Sequence, residues 1–140
     1  MNKTETIKQF VKYGLVGVLN TVVTLVGIFV CKSWLEIHPV VSNALGYIAG
    51  VINSFLWNKS WVFRSQKGYM REAVKFLVGF GLCYLLQLLI VMGLTYHTAM
   101  GAMEWDLHFM VISGYGVATI IAMMIYTMAN YLYNRLVTFR

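Results

Sequence analysis

FLWNKSWVFR, residues 55–64, is matched without a gap by YLYNRLVTFR at residues 131–140. In both copies an apolar, aromatic run meets Asn and a basic residue, Asn58–Lys59 and Asn134–Arg135, and ends on Phe-Arg. Working backwards from each copy, VKYGLVG at residues 11–17 is echoed, one residue shorter, by VKFLVG at residues 74–79. The chain therefore reads as two versions of one unit, repeat one over about residues 8–64 and repeat two over about residues 71–140.

Four stretches hold no Lys, Arg, Asp, Glu or His: residues 13–31, 39–58, 76–96 and 109–134. Each reaches the roughly 17–25 residues that a helix needs to cross the hydrocarbon core. The last is longer than that, which predicts a tilt or an overhang. None alternates polar with apolar as a barrel strand would, and an unclosed strand cannot satisfy its backbone in lipid. With 59% hydrophobic and 11% charged residues in 140, the composition departs from that of soluble domains, about a quarter charged. The expected fold is an all-α membrane protein with four transmembrane helices. Each repeat is a helical hairpin that crosses twice, so the two repeats run parallel rather than inverted. The first stretch follows three lysines, but it is longer than a signal core and lacks a small-residue cleavage site. It is read as a retained helix.

Net charge is +6, and the positions of the basic residues say what that charge is for. Lys3, Lys8 and Lys12 precede the first span, Lys59, Arg64, Lys67, Arg71 and Lys75 lie between the second and third, and Arg135 and Arg140 follow the fourth. Of the eleven, Lys32 alone falls on the opposite side, with Glu36, His38, His97, Glu104, Asp106 and His108. The positive-inside rule makes the basic side cytoplasmic and both termini internal. The expected counter-charge is the anionic inner leaflet, not nucleic acid. Trp34, Trp57, Trp61, Trp105 and Tyr133 suit the membrane interfaces. Cys31 and Cys83 are isolated, with no metal or redox spacing, and are read as packing residues rather than a disulfide.

Polar side chains inside the spans are interleaved with small ones. The first span carries Tyr13, Gly17, Asn20, Thr24 and Gly27 at near-heptad spacing, and the second carries Asn43, Gly46, Gly50, Asn53 and Trp57, with Gly46 and Gly50 forming a GxxxG. The fourth has Gly114, Ala118 and Ala122, then Thr119, Tyr126, Asn130 and Asn134; the third has Tyr84 and Gln87. Two readings stand. Such residues let helices approach closely and hydrogen-bond across the gap, each bond worth about 1 kcal/mol, and Gly17, Gly46, Gly50, Gly114 and Ala118 are the packing candidates. Alternatively Asn20, Asn53, Asn58, Tyr84, Gln87, Tyr126, Asn130 and Asn134 line a path for an uncharged, hydroxyl-rich group. The basic residues also admit two readings: they fix topology, or Lys59, Arg64, Arg135 and Arg140, equivalent in pairs, hold a lipid phosphate by charge-assisted hydrogen bonds. No span contains an acid or histidine, which disfavours proton-coupled antiport. No nucleophile–base pair or metal spacing is present either, so neither an enzyme nor a cofactor is expected.

Those residues, FVKYGLVGVLNT at 10–21, FLWNKSWVFR at 55–64 and NRLVTFR at 134–140, resemble the GtrA-like membrane proteins over nearly the whole chain. The resemblance implies a bacterial inner membrane protein of cell-surface polysaccharide synthesis, such as O-antigen glucosylation or teichoic acid decoration. The implied role is that of a flippase moving a polyprenyl-phosphate-linked monosaccharide to the outer leaflet, where a membrane glycosyltransferase uses it. Some relatives look more like non-catalytic anchors that recruit such an enzyme. Small bundles often leave interior polar groups incompletely surrounded, so a homodimer is a further expectation. In a Cys31→Ser, Cys83→Ala background, a membrane-impermeant maleimide should label Ser65→Cys only in inverted vesicles and Asp106→Cys only in right-side-out ones. The opposite pattern would reverse the topology.

Overall fold

The computed structural model describes residues 2–107 and 110–140. His108, placed above on the outer side, and Phe109, the start of the last uncharged stretch, lie outside the described residues. The chain forms α1 (Lys3–Phe29), α2 (Pro39–Trp57), α3 (Tyr69–Tyr96) and α4 (Gly114–Tyr133). Four helices, counted with their terminal turns, are long and apolar enough to cross a membrane. Large apolar side chains such as Leu15, Leu25, Ile48, Leu82, Leu89 and Met124 point outward, as expected of helices whose solvent is hydrocarbon.

The local signals for the helix starts are conventional. Asn2 and Glu5 form a capping box at α1. Pro39 opens α2, where its missing N–H is no loss, and His38 Nδ1 accepts from the Val40 amide at 3.3 Å. The all-helical expectation fails between α3 and α4. There a 3₁₀ turn (Ala99–Ala102) leads into an antiparallel hairpin of β1 (Glu104–Leu107) and β2 (Met110–Ser113), with Glu104 opposite Ser113 and Trp105 opposite Ile112. Residues 110–113 had been assigned to the fourth span. Val111 and Ile112 are β-branched and favour extended backbone, and Ser113 then caps α4 by accepting from the Gly116 amide at 3.1 Å.

Two compact units divide the chain: Met1–Gly68 with Phe139, and Tyr69–Thr138 with Arg140. In the first unit α1 packs on α2 through glycine. A Cβ on Gly27 would lie 3.2 Å from the Gly46 Cα, and one on Gly46 would lie 2.8 Å from the Thr24 carbonyl oxygen and collide with the Ile28 side chain. A Cβ on Gly50 would strike the Thr24 hydroxyl. Within this contact Asn53 Nδ2 donates to Asn20 Oδ1 at 2.7 Å. The seam on α1 is therefore Tyr13, Val16, Asn20, Thr24 and Gly27, and Gly17 is a correction: it is exposed, with nothing within 4 Å of where its Cβ would stand. Each residue turns the helix by about 100°, so the step from Val16 to Gly17 leaves the seam. On α2 the same one-residue error exchanges buried Ser42 for exposed Asn43, and Trp57 is exposed as well.

In the second unit α3 buries Glu72, Phe76, Gly79 and Cys83, a face at spacing four, three and four, while α4 buries Ala118, Ala122, Asn130 and Tyr131. Gly79 lies under the Tyr133 ring, which any Cβ there would meet. Gly114 does not serve the helix–helix track expected of it. Its own amide donates to the Met103 carbonyl at 2.7 Å, and a Cβ would run into the Met100 carbonyl, so it seals the 3₁₀ turn against the start of α4. Both cysteines are free thiols.

The packing makes two quantitative statements. Gly46→Ala should destabilise the protein by about 1–3 kcal/mol, the usual scale of overpacking, whereas Gly17→Ala should leave stability unchanged; unfolding of the detergent-solubilised variants by SDS titration measures both. A double-mutant cycle on Asn20→Ala and Asn53→Ala should return a coupling of about 1 kcal/mol, and a coupling of zero would remove that bond from the stability account.

Candidate functional site

A helix ending in an apolar medium has carbonyls that cannot all be left to water. α2 solves this by widening its last turn into a π-helical one, Asn58–Val62, and α4 does so at the equivalent place, Asn134–Thr138. After the first of these turns the Phe63 amide donates back to the Asn58 carbonyl and the Ser65 amide to the Lys59 carbonyl, both at 2.9 Å. The reversal puts Arg64 at φ 52°, a left-handed conformation usually taken by glycine. Glu36 has the same φ behind the π turn that ends α1, Val30–Trp34.

The two basic turns are also held alike. In the first unit the Lys12 ammonium lies 5.1 Å from the centre of the Trp61 ring, and Gln9 Nε2 donates to the Val62 carbonyl at 3.3 Å. In the second unit Lys75 Nζ donates to the Val137 carbonyl at 3.0 Å. Lys12 and Lys75 are equivalent in the repeat, as are Trp61 and Val137. The lysine that opens each hairpin thus returns to the last turn of that hairpin's second helix, where positive charge opposes the negative end of the helix dipole.

Inside each turn the asparagine is fully buried. Asn58 Nδ2 donates to the Ser54 carbonyl at 2.8 Å and to Ser54 Oγ at 3.2 Å. Asn134 Nδ2 donates to Asn130 Oδ1 at 3.3 Å, and Asn130 Nδ2 donates in turn to the Tyr126 hydroxyl at 3.3 Å. That makes a three-rung polar ladder at every fourth residue of α4. The Oδ1 atoms of Asn58 and Asn134 are buried with no hydrogen-bond partner among the described residues, as is Thr138 Oγ1. An acceptor in that state carries a desolvation cost of about 1–3 kcal/mol.

The four cations proposed for phosphate binding have different settings. Lys59 is buried, with 3% of its surface exposed, and donates to the Lys67 carbonyl at 2.6 Å. Arg135 is half-buried and lies 3.4 Å from the Tyr131 hydroxyl, to which its Nη1 donates. Arg64 and Arg140 are exposed. Of the polar-path candidates, Asn20 and Asn53 bond to each other, Tyr126, Asn130 and Asn134 form the α4 ladder, and Asn58 joins Ser54. Tyr84 and Gln87 stand apart from that ladder, in a cavity farther along α3.

Sequence reasoning overlooked Ser54, Thr138 and Glu72. Ser54 lies four residues before Asn58 and Thr138 four after Asn134, so helical spacing alone ties each to its asparagine. Glu72 is 2% exposed. Its signal is periodicity too, since it precedes Phe76, Gly79 and Cys83 on one face, although a carboxylate at a helix start suits solvent.

A family model described as the GtrA/DPMS transmembrane domain matches residues 12–139. An uncharacterized membrane protein of Bacillus subtilis, YngA, is 32% identical over 75 residues, which is 53% of this chain and 50% of that one. The match thus spans about half the length of that curated relative. With four spans and the Asn-Lys/Arg turn at the end of two of them, the chain belongs to the GtrA/DPMS transmembrane domain family, a family associated with the translocation of membrane-linked sugars.

Proposed function

We propose that this protein is a flippase that carries a polyprenyl-phosphate-linked monosaccharide from the cytoplasmic to the outer leaflet of a bacterial inner membrane. A membrane glycosyltransferase then uses the sugar to decorate cell-surface polysaccharide or teichoic acid. The observation that carries the reading is the repeated pairing of a buried asparagine with a cation, Asn58 with Lys59 and Asn134 with Arg135, at the basic end of each hairpin. Counting cations by side makes that end cytoplasmic. Positive charge at that end attracts an anionic phosphate, and from Asn134 the uncharged ladder of Asn130 and Tyr126 leads into the helix pair. Amides and phenols bind hydroxyls without requiring a counter-charge.

Arg64 adds a physical argument. Holding a non-glycine residue in the left-handed region costs about 1–2 kcal/mol, and such outliers collect at functional sites. Glu36 shares that φ, so the conformation comes with the turn; what Arg64 adds is an exposed guanidinium at the basic end.

A second reading has its own observation. Gly14 and Gly17 are exposed on α1 with nothing within 4 Å of their Cβ positions, the kind of surface on which another membrane helix packs closely. This favours an anchor that docks a glycosyltransferase, or a second copy of the chain.

Purified protein in liposomes containing a labelled polyprenyl-phosphate sugar separates the two. Transport should occur without nucleotide or ion gradient, and Lys59→Ala or Arg135→Ala should slow it at least tenfold, about 1.4 kcal/mol or more of lost binding. Gly17→Leu should leave it intact. No transport by wild type, with co-purification of a transferase lost in Gly17→Leu, would establish the anchor instead. Arg64→Gly should raise stability by about 1 kcal/mol while slowing transport.

A further inference from the structure

The second unit contains a half-open groove of about 390 Å³ between α3 and α4, with Tyr84, Tyr96 and Tyr115 exposed at its rim, within the size range of small-ligand pockets, roughly 300–1,000 Å³. Its polar and aromatic wall is Tyr84, Gln87, Thr95 and Tyr96 from α3 and Tyr115 and Thr119 from α4; the rest is aliphatic and methionine surface. Among the described residues no charged side chain contributes. Thr95 Oγ1 is buried without a hydrogen-bond partner among the described residues. The Thr119 hydroxyl donates to the Tyr115 carbonyl at 2.8 Å, which leaves its lone pairs to accept.

Tyrosine faces beside an amide and hydroxyls suit a ring with apolar C–H faces and hydroxyl edges. A phosphate would find no cation. An acyl chain would leave the Thr95 oxygen and the Gln87 amide unsatisfied in a low-dielectric site.

The cavity is also far from the basic end. Fifteen residues of helix separate Thr119 from Asn134, about 22 Å at 1.5 Å per residue. One monosaccharide phosphate cannot occupy both places. Nearer the basic end, Phe80 and Tyr126 meet edge to face, with ring centres 6.4 Å apart. The first hairpin has no counterpart. Where the repeat aligns, it has Val22 and Leu25 in place of Tyr84 and Gln87, Pro39 in place of Tyr115, and Gly50, the site of closest helix approach, in place of Tyr126.

We infer that the groove of the second hairpin is a separate station for a neutral sugar ring, at the end of that hairpin opposite Asn134 and Arg135, and that the first hairpin lacks one. The inference rests on the flippase reading for its biological meaning, in which this is where the sugar rests before release. As a binding site it is tested independently of transport.

The probe is a diazirine-bearing alkyl glucoside, photolysed with wild-type protein in phospholipid nanodiscs, with the modified residues located by mass spectrometry. Labelling should fall within residues 84–96 and 115–119, should drop at least fivefold with excess methyl glucoside, and should be unaffected by geranyl phosphate. Thr95→Val and Gln87→Leu should each lower it at least fivefold, and Thr95→Ser, which keeps the hydroxyl, should restore it. Equal labelling by a diazirine-bearing alkanol of the same chain length would overturn the proposal by making the cavity an acyl-chain slot. Displacement by geranyl phosphate, or labelling confined to residues around Asn58 and Asn134, would overturn it by merging the two stations. Glucoside labelling with no transport in liposomes would keep the station and end the flippase reading; transport without labelling would do the reverse.

Discussion

A carbonyl at the end of a helix in hydrocarbon needs a partner, and this protein depends on how that demand is met at the end of the second helix of each hairpin. Widening the last turn to π geometry brings Asn58 or Asn134 inward and leaves Lys59 or Arg135 as the next residue. The returning lysine of the same hairpin, Lys12 or Lys75, closes the turn from outside. Backbone satisfaction, burial of an amide and concentration of positive charge are thus consequences of one local geometry. The same turn also ends α1, without an asparagine, so it is the Asn-Lys/Arg pair, repeated at Asn58 and Asn134, that duplicates the basic end.

Beyond that common turn the two hairpins differ. Glycine in the first draws α1 and α2 together until an asparagine pair bonds across the gap at 2.7 Å. The second places Tyr126 where the first has Gly50, and its helices leave a half-open, largely apolar groove with a few polar groups instead. Duplication followed by this exchange gives one hairpin built for close packing and one with room for a ligand.

Most of the architecture was legible in the chain. Length and absence of charge place four spans because lipid imposes both requirements on any segment that crosses it. The recurrence of FLWNKSWVFR as YLYNRLVTFR marks where the hairpins end alike, since equal local sequence meets equal local constraints. Composition along the chain also identified which residues are polar inside the spans, and hence the candidates for a path.

What the chain did not reveal was rotation about each helix axis. Val16 or Gly17, Ser42 or Asn43: neighbours differ by a quarter turn or more, and only packing against the partner helix selects one. The same holds for Glu72, whose charge argued for solvent while its spacing argued for the interior. The β hairpin was hidden because uncharged residues at 110–113 read equally well as span or strand until Ser113 caps α4. The pairing of Asn20 with Asn53, the ladder on α4 and the cavity beside Gln87 are decided by tertiary structure alone. Each depends on distances between residues remote in sequence, which neither composition nor periodicity encodes.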